Sequence, residues 1–152
     1  MRLSPYIFFP GNAEEGLHFY KDVFGGTISD IKRYEESPME TETNDKQKLM
    51  HARVSFGESL VMVCDATNDK MPPKGSNIQL SVEFSDVNDM DAKFPKLAEG
   101  GKVTMELQDM FWGARFGMLT DKFGINWMFN CQLEQTQNLS SDQAGKTSDI
   151  TD

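Results

Sequence analysis

The fold of this chain is decided by residues 111–130, FWGARFGMLTDKFGINWMFN. Before the turn at residues 121–124, DKFG, small or aliphatic residues alternate with aromatic and polar ones. After this turn the chain is rich in large apolar residues. Both patterns are typical of β-strands, and the glycine of DKFG is free to adopt a positive φ in a tight turn. The stretch therefore predicts two strands joined by a turn. It contains both tryptophans, Trp112 and Trp127, which we interpret as core residues or as walls of a pocket.

Composition is typical of a single globular domain. The chain has 152 residues, of which 38% are hydrophobic, and this is enough for a packed core over most of its length. The formal net charge of −9 disfavours a nucleic-acid groove, because phosphate binding needs a basic surface, and it equally disfavours an anionic membrane surface. We therefore expect neither nucleic acid nor a membrane as a partner.

The N-terminal residues and the cysteines indicate the compartment. The first residues, MRLSP, lack the long apolar region of a signal peptide, and no apolar run approaches the ~18 residues that a membrane helix needs. Cys64 and Cys131 are isolated, without the paired spacing of a structural zinc site. We predict a cytoplasmic protein in which both thiols are reduced.

The first half of the chain predicts a strand, a helix and three further strands. Residues 6–9 form a short apolar run closed by a proline. Asn12 is the expected N-cap of an amphipathic helix, Glu15 is its capping-box partner, and Gly25-Gly26 ends the helix. The apolar stripe of this helix is Ala13, Leu17, Tyr20 and Phe24. The later strands are predicted at 27–34, 49–56 and 60–64, with an acidic loop at 35–48.

The second half repeats this order. Residues 78–84 alternate like a strand, and Asp86 is the expected cap of a second amphipathic helix. Pro95 should kink or shorten that helix, and Gly100-Gly101 ends it. A strand at 102–107 and the two strands of the opening stretch follow. The apolar stripe of the second helix is Met90, Phe94 and Leu97.

Glycines and cysteines recur at similar distances in the two halves. The helix-ending glycines Gly25 and Gly100 lie 75 residues apart, and the turn glycines Gly57 and Gly124 lie 67 apart, as do the two cysteines. The shorter distance is explained by the long acidic loop of the first half. We interpret the period as an old internal duplication. The predicted domain spans 1–132, with one module at about 1–66 and the other at about 77–132.

The last residues differ in composition from the rest of the chain. Beyond Gln132 the segment is polar, and its only large apolar residues are Leu133, Leu139 and Ile150. Such a segment buries too little apolar surface to offset the entropy of ordering it. We predict that 133–152 is a disordered tail that the fold does not need.

Several motifs resemble the PhnB-like branch of the vicinal-oxygen-chelate superfamily, which includes glyoxalase I, extradiol dioxygenases and bleomycin-resistance proteins. The matching segments are 5–6, 11–15, 19–20, 24–26, 50–52, 111–113 and 120–124. The resemblance implies an α+β fold of two βαβββ modules, with curled mixed or antiparallel sheets around a concave cavity and helices on the outer face. It also implies a homodimer.

In the superfamily's metalloenzymes, one metal ligand lies on the first strand and one on the last strand of each module. Carried over by resemblance, these positions fall on Pro5, on Asn77 or Gln79, on Val61 or Met62, and on Trp127, Met128 or Phe129. None of these is a histidine or a carboxylate, which divalent metals prefer. His18 lies on the polar side of the first helix and is expected at the surface. We therefore expect no metal site and no cofactor, although a divalent metal on unconventional ligands stays open.

Strand parity predicts the residues that line the cavity. If Ala52 and Val54 on one strand, and Leu80 and Val82 on another, pack under the helices, the opposite faces point into the cavity. An exposed polar sheet face is the alternative. The candidate cavity residues are Tyr6, His51, Arg53, Ser55, Gln79, Ser81, Glu83, Trp112 and Met128.

These side chains allow several chemistries. His51 could act as a general base, with Glu83 as a second catalytic candidate. Arg53 could pair with Glu83 or hold an anionic ligand. The leading hypothesis is a metal-free, glyoxalase-like protein that binds a small molecule. The alternatives are a metal-dependent lyase, isomerase or dioxygenase, or a resistance protein that sequesters a drug. We expect no metal-dependent activity, and if the protein is an enzyme, the resemblance implies a glyoxalase-type lyase or a dioxygenase.

Overall fold

A computed structural model of the chain describes residues 2–38, 40–67, 71, 73–75 and 77–134. These residues form eight strands and two α-helices. In chain order the elements are β1 (Tyr6–Phe9), α1 (Ala13–Phe24), β2 (Thr27–Arg33), β3 (Leu49–Phe56), β4 (Ser59–Asp65), β5 (Leu80–Phe84), α2 (Val87–Ala98), β6 (Lys102–Asp109), β7 (Ala114–Thr120) and β8 (Asn126–Gln132). The predicted α+β fold of two βαβββ modules is confirmed. Two short 3₁₀ turns lie in the acidic loop between β2 and β3.

Each module builds its own four-stranded sheet. The strand order is β1-β4-β3-β2 in the first sheet and β5-β8-β7-β6 in the second. In both sheets the first strand of the module runs parallel to the last, and the other pairs are antiparallel. Both sheets are therefore mixed, and within the described residues they are not joined into a closed barrel.

The glycine pairs occupy equivalent places in the two modules. Gly25 and Gly100 have φ values of 70° and 72°, as expected for helix-ending residues in the left-handed conformation. The second glycine of each pair lies against the carbonyl of a central strand. A Cβ on Gly26 would lie 2.8 Å from the oxygen of Ser55, and one on Gly101 would lie 2.2 Å from the oxygen of Thr120. This correspondence supports an internal duplication.

The cysteines are not equivalent, in contrast to what their spacing suggested. Tyr6 on β1 is the register partner of Met62, and Ser81 on β5 is the register partner of Met128. By alternation, Cys64 shares the sheet face of Met62, whereas Cys131 lies on the face opposite Met128. The equal spacing therefore does not reflect equal positions, because the turns between the last two strands differ in length.

Each helix covers one face of its own sheet. The predicted stripes of both helices are buried, as are Ala52 and Val54 on β3. Leu80 and Val82 on β5 are partly buried and pack against the same core. α2 continues past Pro95 to Ala98, so this proline does not end the helix. The other face of each sheet is left without a helix, as strand parity predicted.

The N-terminus of α1 is capped differently from the prediction. Asn12 occupies the cap position, but its side chain makes no capping hydrogen bond, and its buried Oδ1 has no partner among the described residues. Instead Asp65 Oδ1 accepts a hydrogen bond of 2.8 Å from the backbone N–H of Ala13. Parallel pairing of β1 with β4 places Asp65 opposite Phe9, close to the start of the helix. In α2 the predicted cap is confirmed, because Asp86 accepts from the N–H of Asn88.

The two modules share one core, in which α1 contacts both. The rings of Tyr20 and Phe24 on α1 lie 5.6 and 5.5 Å from the ring of Trp127 on β8. Trp127 is 2% exposed and is a core residue, one of the two predicted alternatives. Phe123, in the turn before β8, meets Phe9 of the first module edge to face. The helix sides of the modules therefore pack against each other, and the open sheet faces point away from this shared core.

We expect a chain that ends after Glu134 to fold like the full chain. The backbone N–H of Leu133 donates to the carbonyl of Gly113 at 2.9 Å, so the cut is placed two residues beyond the predicted end of the domain. Residues 135–152, most of the predicted tail, lie outside the described residues. The melting temperature should change by less than about 2 °C, since the core of the described residues is built from side chains between Ile7 and Cys131. A drop of several degrees in a thermal melt would show that the tail docks.

Candidate ligand site on the open face of the first sheet

Strand pairing gathers a set of unlike side chains on the open face of the first sheet. Tyr6, Met62 and Arg53 lie side by side on β1, β4 and β3. Phe8 and Cys64 form the next row on β1 and β4. His51 shares the face of Arg53, two residues away on the same strand. Three predicted cavity residues, Tyr6, His51 and Arg53, are thus brought together.

These three side chains are linked by hydrogen bonds. The Tyr6 hydroxyl lies 2.8 Å from His51 Nδ1, and Arg53 Nε donates to His51 Nε2 at 3.3 Å. A guanidinium cannot accept a hydrogen bond, so Nε2 is the acceptor and the proton of the neutral imidazole is on Nδ1. His51 then donates to the Tyr6 oxygen, and the Tyr6 hydroxyl also has a side-chain hydrogen bond with Cys64. In this arrangement His51 orients Tyr6, and Nε2 is engaged by Arg53.

Asp30 extends the network beyond Arg53. It was not among the site residues predicted from the sequence. Its Oδ2 lies 3.2 Å from Arg53 Nη1. Asp30 has a φ of 52° and is the only described residue other than glycine with a positive φ. It sits where the pairing of β2 with β3 is irregular, between Ser29 and Lys32. Strained positions and bulges of this kind often aim a side chain at a functional site. Ile28 and Ile31 are three residues apart rather than two or four, and this break in the strand alternation is the local signal that could have marked the irregularity.

Two exposed aromatic rings flank the network. Tyr6 is 41% exposed and Phe8 is 46% exposed, although both lie on a strand. Their ring centroids are 5.6 Å apart with an angle of 33° between the planes. Large aromatic side chains left open beside hydrogen-bonding groups are a common feature of ligand and partner surfaces.

Cys64 lies beneath this surface and is an unreactive thiol. It is 4% exposed, and burial, together with the neighbouring Asp65 carboxylate, raises its pKa to about 11. Burial also raises the pKa of Tyr6 to about 12, with the neighbouring Cys64 as a further cause. Neither group is ionised at neutral pH, so the Tyr6 hydroxyl acts as a hydrogen-bond donor.

The raised thiol pKa predicts a loss of stability at alkaline pH. The pKa of Cys64 rises from 9.0 to about 11 on folding, so its contribution is complete below pH 9 and is lost as the pH rises through 11. Two pKa units correspond to about 2 to 3 kcal/mol. The free energy of unfolding, measured with urea from pH 8 to 10, should therefore fall less steeply in Cys64→Ala than in the wild type. Equal slopes in the wild type and in Cys64→Ala would contradict the prediction. The same measurement on Cys131→Ala gives a comparison with the other module.

The second sheet carries a separate group of predicted residues. Glu83 accepts a hydrogen bond of 2.9 Å from Asn130 Nδ2, and Ser81 is the register partner of Met128. The ring of Trp112 lies 6.2 Å from that of Phe116 and is half exposed, so Trp112 is not a core residue. The proposed pair of Arg53 with Glu83 does not form within the chain, because Arg53 bonds Asp30 and Glu83 bonds Asn130. The predicted cavity residues therefore lie on two different faces.

A groove of about 900 Å³ lies between the modules along β5. It is lined by Gln79, Ser81 and Glu83 but not by His51, Arg53 or Met128. Core side chains such as Phe24 and Trp127 form part of its wall. The edge strand β5 is thus open on the side away from β8.

The open faces do not supply the metal-ligand set of the superfamily's metalloenzymes. On the first and last strands of the modules, the described open-face residues of a ligand type are Glu83 and Cys64, which lie on different sheets. Among the described residues, no three His, Cys, Asp or Glu side chains group together in a way that could hold a metal ion. His18 is exposed on α1, as predicted. The donor set therefore does not match the family's metal centre.

Comparison with known proteins identifies the family. The profile of the Glyoxalase/Bleomycin resistance protein/Dioxygenase superfamily matches residues 2–129. The chain belongs to this superfamily.

In the described part of the chain, no helix has both the length and the apolar character required to cross a membrane.

Relatives with similar sequences and structures support this assignment. The chain is 30% identical to Protein YjdN of Escherichia coli over 149 residues, which cover 89% of this chain and 98% of that protein. Its fold is similar to the crystal structure of protein PA1353 from Pseudomonas aeruginosa, with a TM-score of 0.79, 34% identity and coverage of 88% and 99%. It is also similar to a putative 3-demethylubiquinone-9 3-methyltransferase, PhnB protein, from Bacillus cereus, with a TM-score of 0.72, 25% identity and coverage of 86% and 99%. PhnB-like proteins are thus among its neighbours.

Proposed function

We propose that this protein binds a small organic molecule on the open face of the first sheet without using a metal ion. The observation that carries the proposal is the hydrogen-bonded series Asp30–Arg53–His51–Tyr6 beside the exposed ring of Phe8. It combines oriented donors with apolar surface, as small-molecule sites do. His51 serves to orient Tyr6.

The chemistry of the side chains supports a metal-free mode of binding. The charged donor of this face is the guanidinium of Arg53, a group that binds oxygen atoms of a ligand directly. The thiol of Cys64 is held protonated by burial, whereas metal binding needs a thiolate. Glu83, the other candidate ligand, is on the second sheet and is bonded to Asn130.

A homodimer is part of the proposal. The rings of Tyr6 and Phe8 on one open face and of Trp112 beside the other are each about half exposed in a single chain. A second copy that faces its second sheet to this first sheet would cover them and enclose the ligand. Two free, buried cysteines support a reducing compartment such as the cytoplasm.

The test uses the full-length protein after dialysis against a chelator. Elemental analysis measures its metal content, and sedimentation measures its mass in solution. A panel of small aromatic and aliphatic fragments is then added while backbone amide NMR signals are followed. We expect a metal-free dimer in which fragments shift the signals of residues 6–8 and 51–53. Near-stoichiometric zinc, nickel, iron or manganese that resists dialysis would overturn the proposal in favour of a metal-dependent lyase, isomerase or dioxygenase. Fragments that shift no signal in these residues would also overturn it.

A further inference from the structure

We infer that the ligand of the site on the first sheet is a planar aromatic carboxylate, an inference that rests on the proposed function. The site offers a half-exposed guanidinium at one end and two exposed rings at the other. Arg53 has a side-chain exposure of 43%, and the rings are those of Tyr6 and Phe8. The juxtaposition matches a molecule with an anionic head and a flat apolar body.

The charge of this face differs from that of the whole chain. The chain carries a net charge of −9, yet this face presents Arg53 and also Lys32, the register partner of His51. The carboxylate bonded within the network is that of Asp30, so the local balance of these groups is positive. An anionic ligand is therefore favoured at a place where the protein as a whole would repel it.

Part of the Arg53 guanidinium is available to a ligand. Arg53 uses Nε for His51 and Nη1 for Asp30, while its second terminal nitrogen, Nη2, has no partner among the described residues. Because two contacts hold the guanidinium plane, its remaining N–H groups are oriented before a ligand arrives. The Tyr6 hydroxyl is engaged by His51 and by the thiol of Cys64, so the free donor of the site is this guanidinium nitrogen. One guanidinium nitrogen suits a monoanionic carboxylate better than a phosphate dianion.

The two exposed rings offer a surface for the apolar body of the ligand. Tyr6 and Phe8 lie on the same strand face with their centroids 5.6 Å apart, and together they make a shelf wider than one ring. Met62 on the adjacent strand is the register partner of Tyr6 and is partly exposed, so its thioether borders these rings. Sulfur and aromatic faces both interact favourably with a flat π-system. An aliphatic chain would gain less from this surface than an aromatic ring.

The experiment compares three probes by calorimetry on the dialysed full-length protein: 2-naphthoate, the neutral 2-naphthamide, and cyclohexanecarboxylate. We expect 2-naphthoate to bind at least about tenfold more tightly than either of the others, because each lacks one of the two interactions. Arg53→Gln should remove the preference for naphthoate over naphthamide, and Arg53→Lys should keep part of it. Phe8→Leu should weaken naphthoate several-fold. Arg115→Gln, which removes a cation paired with Asp91 and Asp109 on the second module, should leave the affinity unchanged.

Two kinds of failure are distinguishable. If naphthamide binds as tightly as naphthoate, or if Arg53→Gln leaves their ratio unchanged, the ligand class is wrong while small-molecule binding at this face stands. If neither these probes nor the fragments shift the NMR signals of residues 6–8 and 51–53, the proposed function itself fails. Circular dichroism of each variant shows whether it folds, and Arg53→Lys tests the role of the charge if Arg53→Gln does not fold.

Discussion

Replacing Asp121 with alanine is expected to lower the free energy of unfolding by about 4 kcal/mol. The carboxylate is 3% exposed and accepts four hydrogen bonds. Two come from the side chains of Tyr20, at 2.6 Å, and Trp127, at 3.0 Å, and two from the turn N–H groups of Phe123 and Ile125. Hydrogen bonds to a charged group contribute about 1.5–3 kcal/mol each, and donors left buried without a partner add to the cost. The loss is smaller than the sum, because the buried carboxylate no longer has to be desolvated.

Asp121 also joins the two modules, which is why its loss should be felt across the whole chain. Tyr20 lies in α1 of the first module and Trp127 in β8 of the second. The bond to Asp121 and burial raise the pKa of Tyr20 well above its usual value, with burial as the larger cause. Removal of the carboxylate therefore loosens the contact on which the shared core depends.

Urea unfolding followed by circular dichroism measures this effect. Tyr20→Phe, which deletes one of the four bonds, should lose about 1–2 kcal/mol. Asp22→Ala is the matched control, since Asp22 is an exposed aspartate on α1, and should change stability by less than about 0.5 kcal/mol. A loss below about 1 kcal/mol for Asp121→Ala would mean that water or other groups satisfy the four donors.

The second large effect is expected from Gly101→Ala, which should cost about 3 kcal/mol. An ideal Cβ at this position would lie 2.2 Å from the carbonyl oxygen of Thr120 and 2.8 Å from the carbonyl carbon of Asp121. Both are backbone atoms, so no side-chain rotation can relieve the clash. The start of β6 would have to move away from the end of β7, where Lys102 pairs with Thr120.

Alanine substitutions at two other glycines distinguish the stability cost of this steric clash from the cost of backbone strain. At Gly25 a Cβ would meet nothing within 4 Å, but φ is 70°, so alanine should cost about 1 kcal/mol from strain alone. At Gly26, the equivalent of Gly101 in the first module, the nearest atom is the Ser55 oxygen at 2.8 Å, and an intermediate cost is expected. If Gly101→Ala is no more destabilising than Gly25→Ala in urea unfolding, the close approach to Thr120 does not constrain the fold.

The sequence by itself determined the elements and their order. Alternation along a strand and the spacing of apolar residues along a helix are local properties, so Ala52 and Val54 on β3, and Leu17 on α1, were assigned to the core correctly. Glycine pairs marked the helix ends, because only glycine takes the left-handed conformation without strain. Strand alternation also placed His51 and Arg53 on the same open face, because alternation depends only on position along the strand.

Only the tertiary structure decided which polar groups meet. Asp65 caps a helix that starts 52 residues before it, and Asp121 bonds a tyrosine 101 residues away. Asp30 reaches Arg53 through an irregularity in strand pairing, whereas Glu83 was expected as the partner and lies on the other sheet. A hydrogen bond forms when strand register and module packing bring two groups within about 3 Å. That distance is set by long-range pairing of backbones and by a shared core, and no local pattern of residue types carries it.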